Sequence, residues 1–215
     1  MTELDAARGR LRLTTAELAD PGAVAVSPRW ARELLDVVAR PGLRMTVRIV
    51  RPGPPLWHGV WATRRDAVLG SPVGAGRYEL SPLEPVLIPF AVATIVGLRR
   101  RPVDPARTAT RIPTSRYLAL GDEPPGGEYA GLAAVLRGRR TAWRASSTWR
   151  DSGGEPHAAR VHVIDGGDAG LWLVAPKDQD GPDPVLVVEP TDVRQVWSAL
   201  TGLLGRRVRP DAERV

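Results

Sequence analysis

Hydrophobic and polar positions alternate along several short stretches of the chain. Met45, Val47 and Ile49 are separated by Thr46 and Arg48, and this period of two predicts a half-buried β-strand. Short apolar or alternating stretches bounded by turn residues predict further strands in the same way. These strands are expected at 57–61, 67–69, 78–80, 142–150, 159–165, 171–175 and 185–189.

Other segments have the period of an amphipathic helix. The clearest lies near the C-terminus and ends at Gly205, with one apolar face made of Val193, Val196, Trp197, Leu200, Leu203 and Leu204. A second helix is expected after Ser27, which would cap it, with Pro28 in its first turn and apolar residues on one side. Two more helices are predicted at 89–99 and 128–137.

The predicted elements follow one order twice: helix, four strands, helix. The halves are placed at residues 28–100 and 127–205 of a single domain spanning 1–215, with 100–127 as a connector in which 112–120 forms one short ordered element. Consecutive hairpins favour antiparallel pairing. The predicted class is therefore α+β, with a mostly antiparallel central sheet flanked by helices and two halves related by a pseudo-two-fold axis.

The composition bears on the compartment. Cysteine is absent, which excludes disulfides, thiolate metal sites and cysteine nucleophiles. Residues 1–10 carry charges throughout and lack an apolar signal segment, and no apolar run approaches the roughly 20 residues that cross a bilayer. A cytoplasmic protein without membrane insertion is expected.

The net charge is +6, the isoelectric point is about 10.8, and 29 of the 30 basic residues are arginine. This charge motivates nucleic-acid binding as an alternative function. The charge is uneven, because Arg99 to Arg150 holds eleven arginines against four acids, whereas Asp151 to Asp192 holds nine acids against two basic residues. Such an asymmetry either steers a charged protein partner, joins the two segments to each other, or is simply solvated surface, and the sequence leaves all three open.

Catalytic and metal-binding patterns are not found in the sequence. His58, His157 and His162 do not have the spacing of a metal site, and His162 and Asp165 are expected on opposite faces of one strand. The glycine-rich stretch from Gly70 to Gly76 predicts a hairpin connection and not a phosphate-binding loop. The sequence therefore predicts no enzyme activity, no metal and no cofactor.

The chain has seven tryptophans but only one phenylalanine and three tyrosines. The even-spaced pairs, at 57 with 61 and at 143 with 149, each share a strand face, where they either fill the core or anchor a partner. The strand 142–150 is the first choice for an exposed recognition face because its tryptophans alternate with polar residues. The candidate partner-binding residues are Trp57, Trp61, Trp143, Arg144, Trp149, Arg150 and Trp197.

Five motifs follow one another in a recognisable order: Leu13-Thr-Thr-Ala-Glu-Leu18, Val38-Ala-Arg-Pro41, Tyr78-Glu-Leu-Ser-Pro82, Val163-Ile-Asp165 with Gly170, and Val188-Glu-Pro-Thr-Asp192. In this order, and with the duplicated element pattern, the chain resembles the EspG-like family of ESX (type VII) secretion-associated proteins of actinobacteria. The resemblance runs nearly from end to end.

The resemblance implies a single EspG-like domain that acts as a cytosolic chaperone or adaptor. Its partners would be a helical secretion substrate, a WXG-type or PPE-like protein, and the ESX secretion machinery, and it would need no cofactor. A sheet face can cover an exposed apolar helix tip, as grooves do for amphipathic helices. Binding of nucleic acid is the alternative from another class.

Overall fold

The computed structural model describes residues 3–5, 9–26, 28–120, 127–178 and 181–204 of the 215-residue chain. Within these ranges there are eleven β-strands and six α-helices. The strands are β1 (Glu3–Asp5), β2 (Arg10–Thr14), β3 (Leu43–Val50), β4 (Leu56–Ala62), β5 (Ala67–Gly74), β6 (Arg77–Leu83), β7 (Thr110–Pro113), β8 (Thr141–Arg150), β9 (Pro156–Asp165), β10 (Leu171–Asp178) and β11 (Val185–Thr191). The helices are α1 (Thr15–Ala19), α2 (Arg29–Ala39), α3 (Ile88–Val96), α4 (Thr114–Ala119), α5 (Ala130–Gly138) and α6 (Val193–Gly202).

All the strands join one antiparallel sheet in the order β1-β2-β6-β5-β4-β3-β8-β9-β10-β11-β7. The central pair is β3 with β8, in register from Leu43 opposite Trp149 to Val50 opposite Ala142. From this central pair, β3–β6 extend in one direction and β8–β11 in the other, with β2 and β1 beyond β6 and β7 beyond β11. Each of the two sets of four strands that are consecutive in sequence is preceded and followed by a helix. The predicted α+β class and the doubled order of helix, four strands, helix are confirmed. The bounds 28–100 and 127–205 stay a prediction.

Helices α3 and α6 cover the middle of one side of the sheet. The apolar positions of β3 and β8, such as Met45, Val47 and Trp143, point to this side and are almost fully buried. They pack against Val92 of α3 and Leu200 of α6. This core therefore contains side chains from both halves of the chain.

The other side of the sheet carries α2 and α5, each above a different group of strands. The buried face of α2 packs on β2, β4, β5 and β6, through a cluster that includes Leu34, Trp61 and Leu80. The buried face of α5 packs on β7, β9, β10 and β11, through a cluster that includes Leu136 and Trp172. Because the two helices lie toward opposite ends, exposed side chains of β3 and β8 remain between them.

Each of the two predicted halves is preceded in the chain by a further strand and a short helix, of which the sequence reasoning expected only one short ordered element at 112–120. Strand β2 pairs with β6 and leads into α1, and the corresponding β7 pairs with β11 and leads into α4. The hydroxyl of Thr14 accepts a hydrogen bond from the Glu17 amide, and the Glu17 carboxylate accepts one from the Thr14 amide, which caps α1. The interval predicted as a connector thus contributes an edge strand to the sheet, and the short element expected at 112–120 is a strand followed by a helix.

The termini of the predicted helices agree with their local chemistry. Helix α3 ends at Gly97, whose φ of 66° is a left-handed conformation that suits glycine. Helix α6 begins after Asp192, which accepts hydrogen bonds from the amides of Arg194 and Gln195. The predicted cap Ser27 and the predicted terminator Gly205 lie outside the described residues. No helix in the described ranges has the length and apolar character needed to cross a membrane.

Candidate partner-binding face

Two of the predicted partner-binding tryptophans are buried. Trp143 is 2% exposed and lies in the core beneath α3 and α6. Trp61 is 9% exposed and lies in the cluster beneath α2, where its ring occupies the space above Gly59 and Gly70. For these two side chains the structure shows the first of the predicted alternatives, core filling.

Two others are partly exposed on the side of α3 and α6. Trp149 packs at the margin of the core and stacks on His157, with ring centroids 5.6 Å apart and an interplanar angle of 18°. Trp197 of α6 makes an edge-to-face contact with Phe90 of α3 at 4.6 Å. Neither belongs to the surface that holds Arg144, which points to the opposite side of the sheet.

The remaining predicted residues help to define an exposed surface, here called the central face. It consists of the outward side chains of β3, β4, β8 and β9 between α2 and α5. One row of directly opposed residues crosses all four strands: Trp57, Arg48, Arg144 and His162. The indole of Trp57 is 45% exposed, and the Arg48 guanidinium carbon lies 5.3 Å from its ring centroid. This contact is a cation–π interaction.

The central face continues along the strands in polar and cationic rows. Thr46 of β3, Ser146 of β8 and Arg160 of β9 form the next row, and Arg44 opposite Thr148 follows it. A hollow of about 240 Å³ lies beside Arg144 and is rimmed by Leu118 of α4, whose side chain is 72% exposed. A wider hollow of about 840 Å³ lies at the other end, lined by Arg44, Arg150 and Trp149 among others.

The electrostatics of the central face are set by its arginines. Burial, followed by the nearby charges of Arg160 and Arg48, lowers the pKa of Arg144. Burial, again followed by Arg144 and Arg160, lowers the pKa of His162 to about 4, so this imidazole is neutral at pH 7. None of the described side chains that make up these rows is acidic. The face therefore offers positive charge, hydrogen-bond donors and an exposed indole.

An apolar patch lies on the opposite side of the sheet. Val86, Leu87 and Phe90 are 48%, 41% and 58% exposed, and Phe90 continues onto Trp197. The chain has no charged residue between Glu84 and Arg99. Exposed apolar side chains in such a cluster are typical of contact surfaces, so this patch is the second candidate surface.

The histidines occupy unrelated sites. His58 is buried and its Nδ1 lies 3.1 Å from the hydroxyl of Ser71, whereas His157 pairs with Asp151 at 3.0 Å. Asp165 is bound by Arg101 and lies on the opposite strand face from His162, as predicted. Across the described residues, no group of three His, Asp or Glu side chains is arranged to hold a metal ion.

Comparisons with known proteins add evidence at the level of the fold. No family model matches the sequence, and no curated protein matches it. A solved structure does match: the type VII secretion system chaperone EspG5 of Mycobacterium tuberculosis, in complex with the PE25–PPE41 dimer. The TM-score is 0.58 at 14% sequence identity, and the match covers 88% of this chain and 83% of EspG5.

This chain has an EspG-like fold. The structural match supports the resemblance inferred from the ordered motifs, as far as the architecture is concerned. An identity of 14% shows a shared fold alone. EspG5 is a chaperone of the type VII secretion system.

The structure brings Trp57 and Arg144 into one row and places Arg150 at the end of the same surface. Trp149 points to the other side of the sheet but lines the same end hollow as Arg150, whereas Trp61, Trp143 and Trp197 lie apart from these residues. The sequence reasoning missed Arg44, Arg48 and Arg160. Their alternation with buried residues was a visible signal for exposure, as in Arg44-Met45-Thr46-Val47-Arg48. Leu118 gave no such signal, because its position above the face depends on the packing of α4.

Proposed function

We propose that this protein is a chaperone or adaptor that binds a helical substrate of type VII (ESX) secretion. The observation that carries the proposal is the fold that it shares, over most of both chains, with the chaperone EspG5. The ordered sequence motifs support the same conclusion. The proposed substrate is a WXG-type or PPE-like protein, which the chaperone keeps soluble in the cytoplasm and delivers to the ESX secretion machinery.

The central face is the proposed substrate-binding surface. It is a stretch of sheet left open between α2 and α5, with exposed apolar side chains at Trp57 and Leu118. A helix with an apolar stripe can be laid along such a surface, so that its stripe contacts these side chains. The protein acts in this proposal by binding, without a catalytic step or a cofactor.

The proposal is tested by co-expression with WXG-type and PPE-like proteins from the same genome. A tag on this chain is used for purification, and the mass of the complex is measured by light scattering after size exclusion. A complex of fixed stoichiometry is expected with at least one substrate. Failure to form a complex with any of them would reject the secretion-chaperone function.

Two variants test which of the two candidate surfaces binds the substrate. Trp57→Ala is expected to weaken the complex at least tenfold, because a tryptophan buried on binding is commonly a dominant contact. Phe90→Ala removes an exposed aromatic ring from the opposite side of the sheet and serves as the matched control. If Phe90→Ala weakens the complex and Trp57→Ala does not, the apolar patch is the binding surface and the central face is not.

Nucleic-acid binding is the alternative, motivated by the net charge of +6 and the arginines of the central face. Labelled duplex and single-stranded DNA are titrated at 50 mM and 200 mM salt. A non-specific binder would lose affinity steeply with salt, since each neutralised phosphate releases counterions. Lack of binding at low salt removes this alternative.

A further inference from the structure

In the part of the chain that the structure describes, the arginines of the central face have no carboxylate partner, unlike six arginines elsewhere that each pair with an acidic side chain. Among the described residues, no salt bridge involves Arg44, Arg48, Arg144 or Arg160. Elsewhere, acidic partners are close to Arg10, Arg12, Arg29, Arg40, Arg101 and Arg107. The positive charge of the central face is therefore available to a ligand.

The arrangement of these arginines is unfavourable for the isolated protein. Arg48 and Arg144 are directly opposite on neighbouring strands, and like charges in that position destabilise a sheet. Arg160 lies on β9, the neighbour of β8, one row away from the row that holds Arg48 and Arg144. Features that cost stability without a structural gain are expected at functional sites. A negatively charged partner converts the mutual repulsion into attraction.

Apolar side chains accompany the charges. Trp57 lies at one end of the row with Arg48, and Leu118 rims the hollow beside Arg144. A phosphate backbone gains little from the exposed Leu118 side chain, whereas an apolar residue of a protein partner can pack on it. The combination of guanidinium groups with flanking apolar contacts favours an amphipathic protein segment over a nucleic acid.

The spacing of the rows suits a helix that runs along the strands. Arg48 and Arg44 are four residues apart on β3, which corresponds to about 13 Å in a strand. Two turns of an α-helix advance about 11 Å. Carboxylates placed one to two turns apart on such a helix therefore reach successive arginine rows, and arginine binds a carboxylate through two parallel hydrogen bonds.

We propose that the central face selects partner helices that carry carboxylates, one to two turns apart, beside an apolar stripe. This inference rests on the proposed function for the helical nature of the partner, and it adds the chemistry that the partner presents. Arg48 and Arg144 form the centre of the recognition surface, Arg44 and Arg160 extend it along the strands, and Trp57 and Leu118 contact the apolar stripe.

Two designed peptides of roughly 20 residues, long enough to form a helix, provide the test. Both have one leucine stripe, and they differ only in three flanking positions at i, i+4 and i+7, which are glutamate in one and glutamine in the other. Fluorescence anisotropy is used to measure binding to the full chain at 50 mM and 300 mM salt. The glutamate peptide is expected to bind at least about tenfold more tightly at low salt, since charged hydrogen bonds are the stronger ones, and the preference should shrink at high salt.

The double variant Arg48→Gln/Arg144→Gln is expected to lose the preference for glutamate. The matched control is Arg29→Gln/Arg65→Gln, which removes the same charge from exposed positions outside the central face and should keep the preference. The leucine stripe keeps some affinity for both proteins, so the difference between the peptides can be measured in each.

Equal affinity for both peptides, or no binding of either, would overturn the inference. If a labelled duplex DNA binds more tightly than the glutamate peptide, and the same double variant abolishes that binding, the central face recognises nucleic acid and the inference about partner helices is replaced.

The outcome for the proposed function can be distinguished from the outcome for this inference. If co-expressed substrates bind the double variant as well as the unaltered chain, the chaperone function stands and the carboxylate preference falls. If no co-expressed substrate is recovered but the glutamate peptide is preferred, the carboxylate preference stands and the chaperone function falls.

Discussion

The guanidinium of Arg101 donates two hydrogen bonds to the carboxylate of Asp165, from Nε to Oδ1 at 2.9 Å and from Nη2 to Oδ2 at 2.7 Å. The two side chains are 15% and 7% exposed. Arg101 precedes β7, and Asp165 ends β9, so this ion pair fastens the interval between the two halves to the second half. It also joins the arginine-rich segment to the acid-rich one, which was one of the predicted roles of the uneven charge.

Replacement of Arg101 is expected to destabilise the fold. Arg101→Met leaves the Asp165 carboxylate buried without its cation, and loss of one partner of a buried pair costs about 3 kcal/mol in the free energy of unfolding. Urea denaturation gives the value. Arg40→Met, which breaks the exposed pair of Arg40 with Asp36, is the control and should change stability by less than about 1 kcal/mol. Equal effects of the two variants would contradict the structural role of Arg101.

The close approach of Trp61 to Gly59 leads to a second prediction. A Cβ atom at Gly59 would lie 2.3 Å from Cη2 of Trp61, so Gly59→Ala should destabilise the protein by about 1–3 kcal/mol through overpacking. In α5, a Cβ at Gly131 meets nothing within 4 Å. Gly131→Ala is therefore the control and should stabilise by up to about 1 kcal/mol. The cost at Gly59 should fall in a Trp61→Leu background, and an unchanged cost would mean that the indole is not its cause.

A third prediction concerns pH. Burial and the charges of Arg144 and Arg160 lower the pKa of His162 to about 4, whereas an unfolded histidine has a pKa near 6.5. Between these values the unfolded chain binds a proton that the folded chain does not. Stability should therefore fall as the pH falls from 6.5 to 4, by on the order of 2 kcal/mol from this residue.

His162→Gln should flatten the pH dependence of stability in this range, as measured by thermal or urea unfolding at several pH values. Tyr117 also contacts His162, and burial raises the pKa of Tyr117 from its usual value, away from this range. His58, whose pKa is also lowered by burial, contributes in the same direction and remains in the variant. An identical pH profile in the two proteins would show that His162 is protonated freely in the fold.

A fourth prediction follows from the opposed arginines. Arg144→Gln relieves repulsion with Arg48 and Arg160 and should stabilise the unliganded protein by up to about 1 kcal/mol at low salt. The gain should shrink in 0.5 M salt, because exposed charges are screened. Arg29→Gln, which breaks an exposed pair with Glu33, is the control and should give no gain. Destabilisation by Arg144→Gln would show that this side chain supports the fold instead.

The elements in the middle of each half could be predicted from local pattern. The alternation in β3 and the apolar face of α6 each follow from the burial of one side, so periodicity is sufficient to find them. The missed β2 and β7 are short strands, of five and four residues, and give little periodicity. The spacing of Thr14 and Glu17 was a usable signal for the start of α1, since it matches a capping box.

The central face could be predicted only in part. Period two assigns Trp57 and Trp61 to one side of β4, but whether a helix covers a given position depends on where α2 packs. Likewise, nothing local indicates that β3 pairs with β8, almost a hundred residues later in the chain. The juxtaposition of Arg48 with Arg144 is therefore a product of tertiary structure, while the outward orientation of each arginine was present in the sequence.

The core beneath α3 and α6 is built jointly, since Val92 and Leu200 cover strands from both halves. Neither half would retain a complete hydrophobic interior if it were separated from the other, and each would expose the edge of β3 or β8. Equilibrium denaturation is accordingly expected to be a single cooperative transition that different spectroscopic probes report alike. Separately expressed halves should remain unfolded alone and regain structure only when mixed, which would make the protein amenable to fragment complementation.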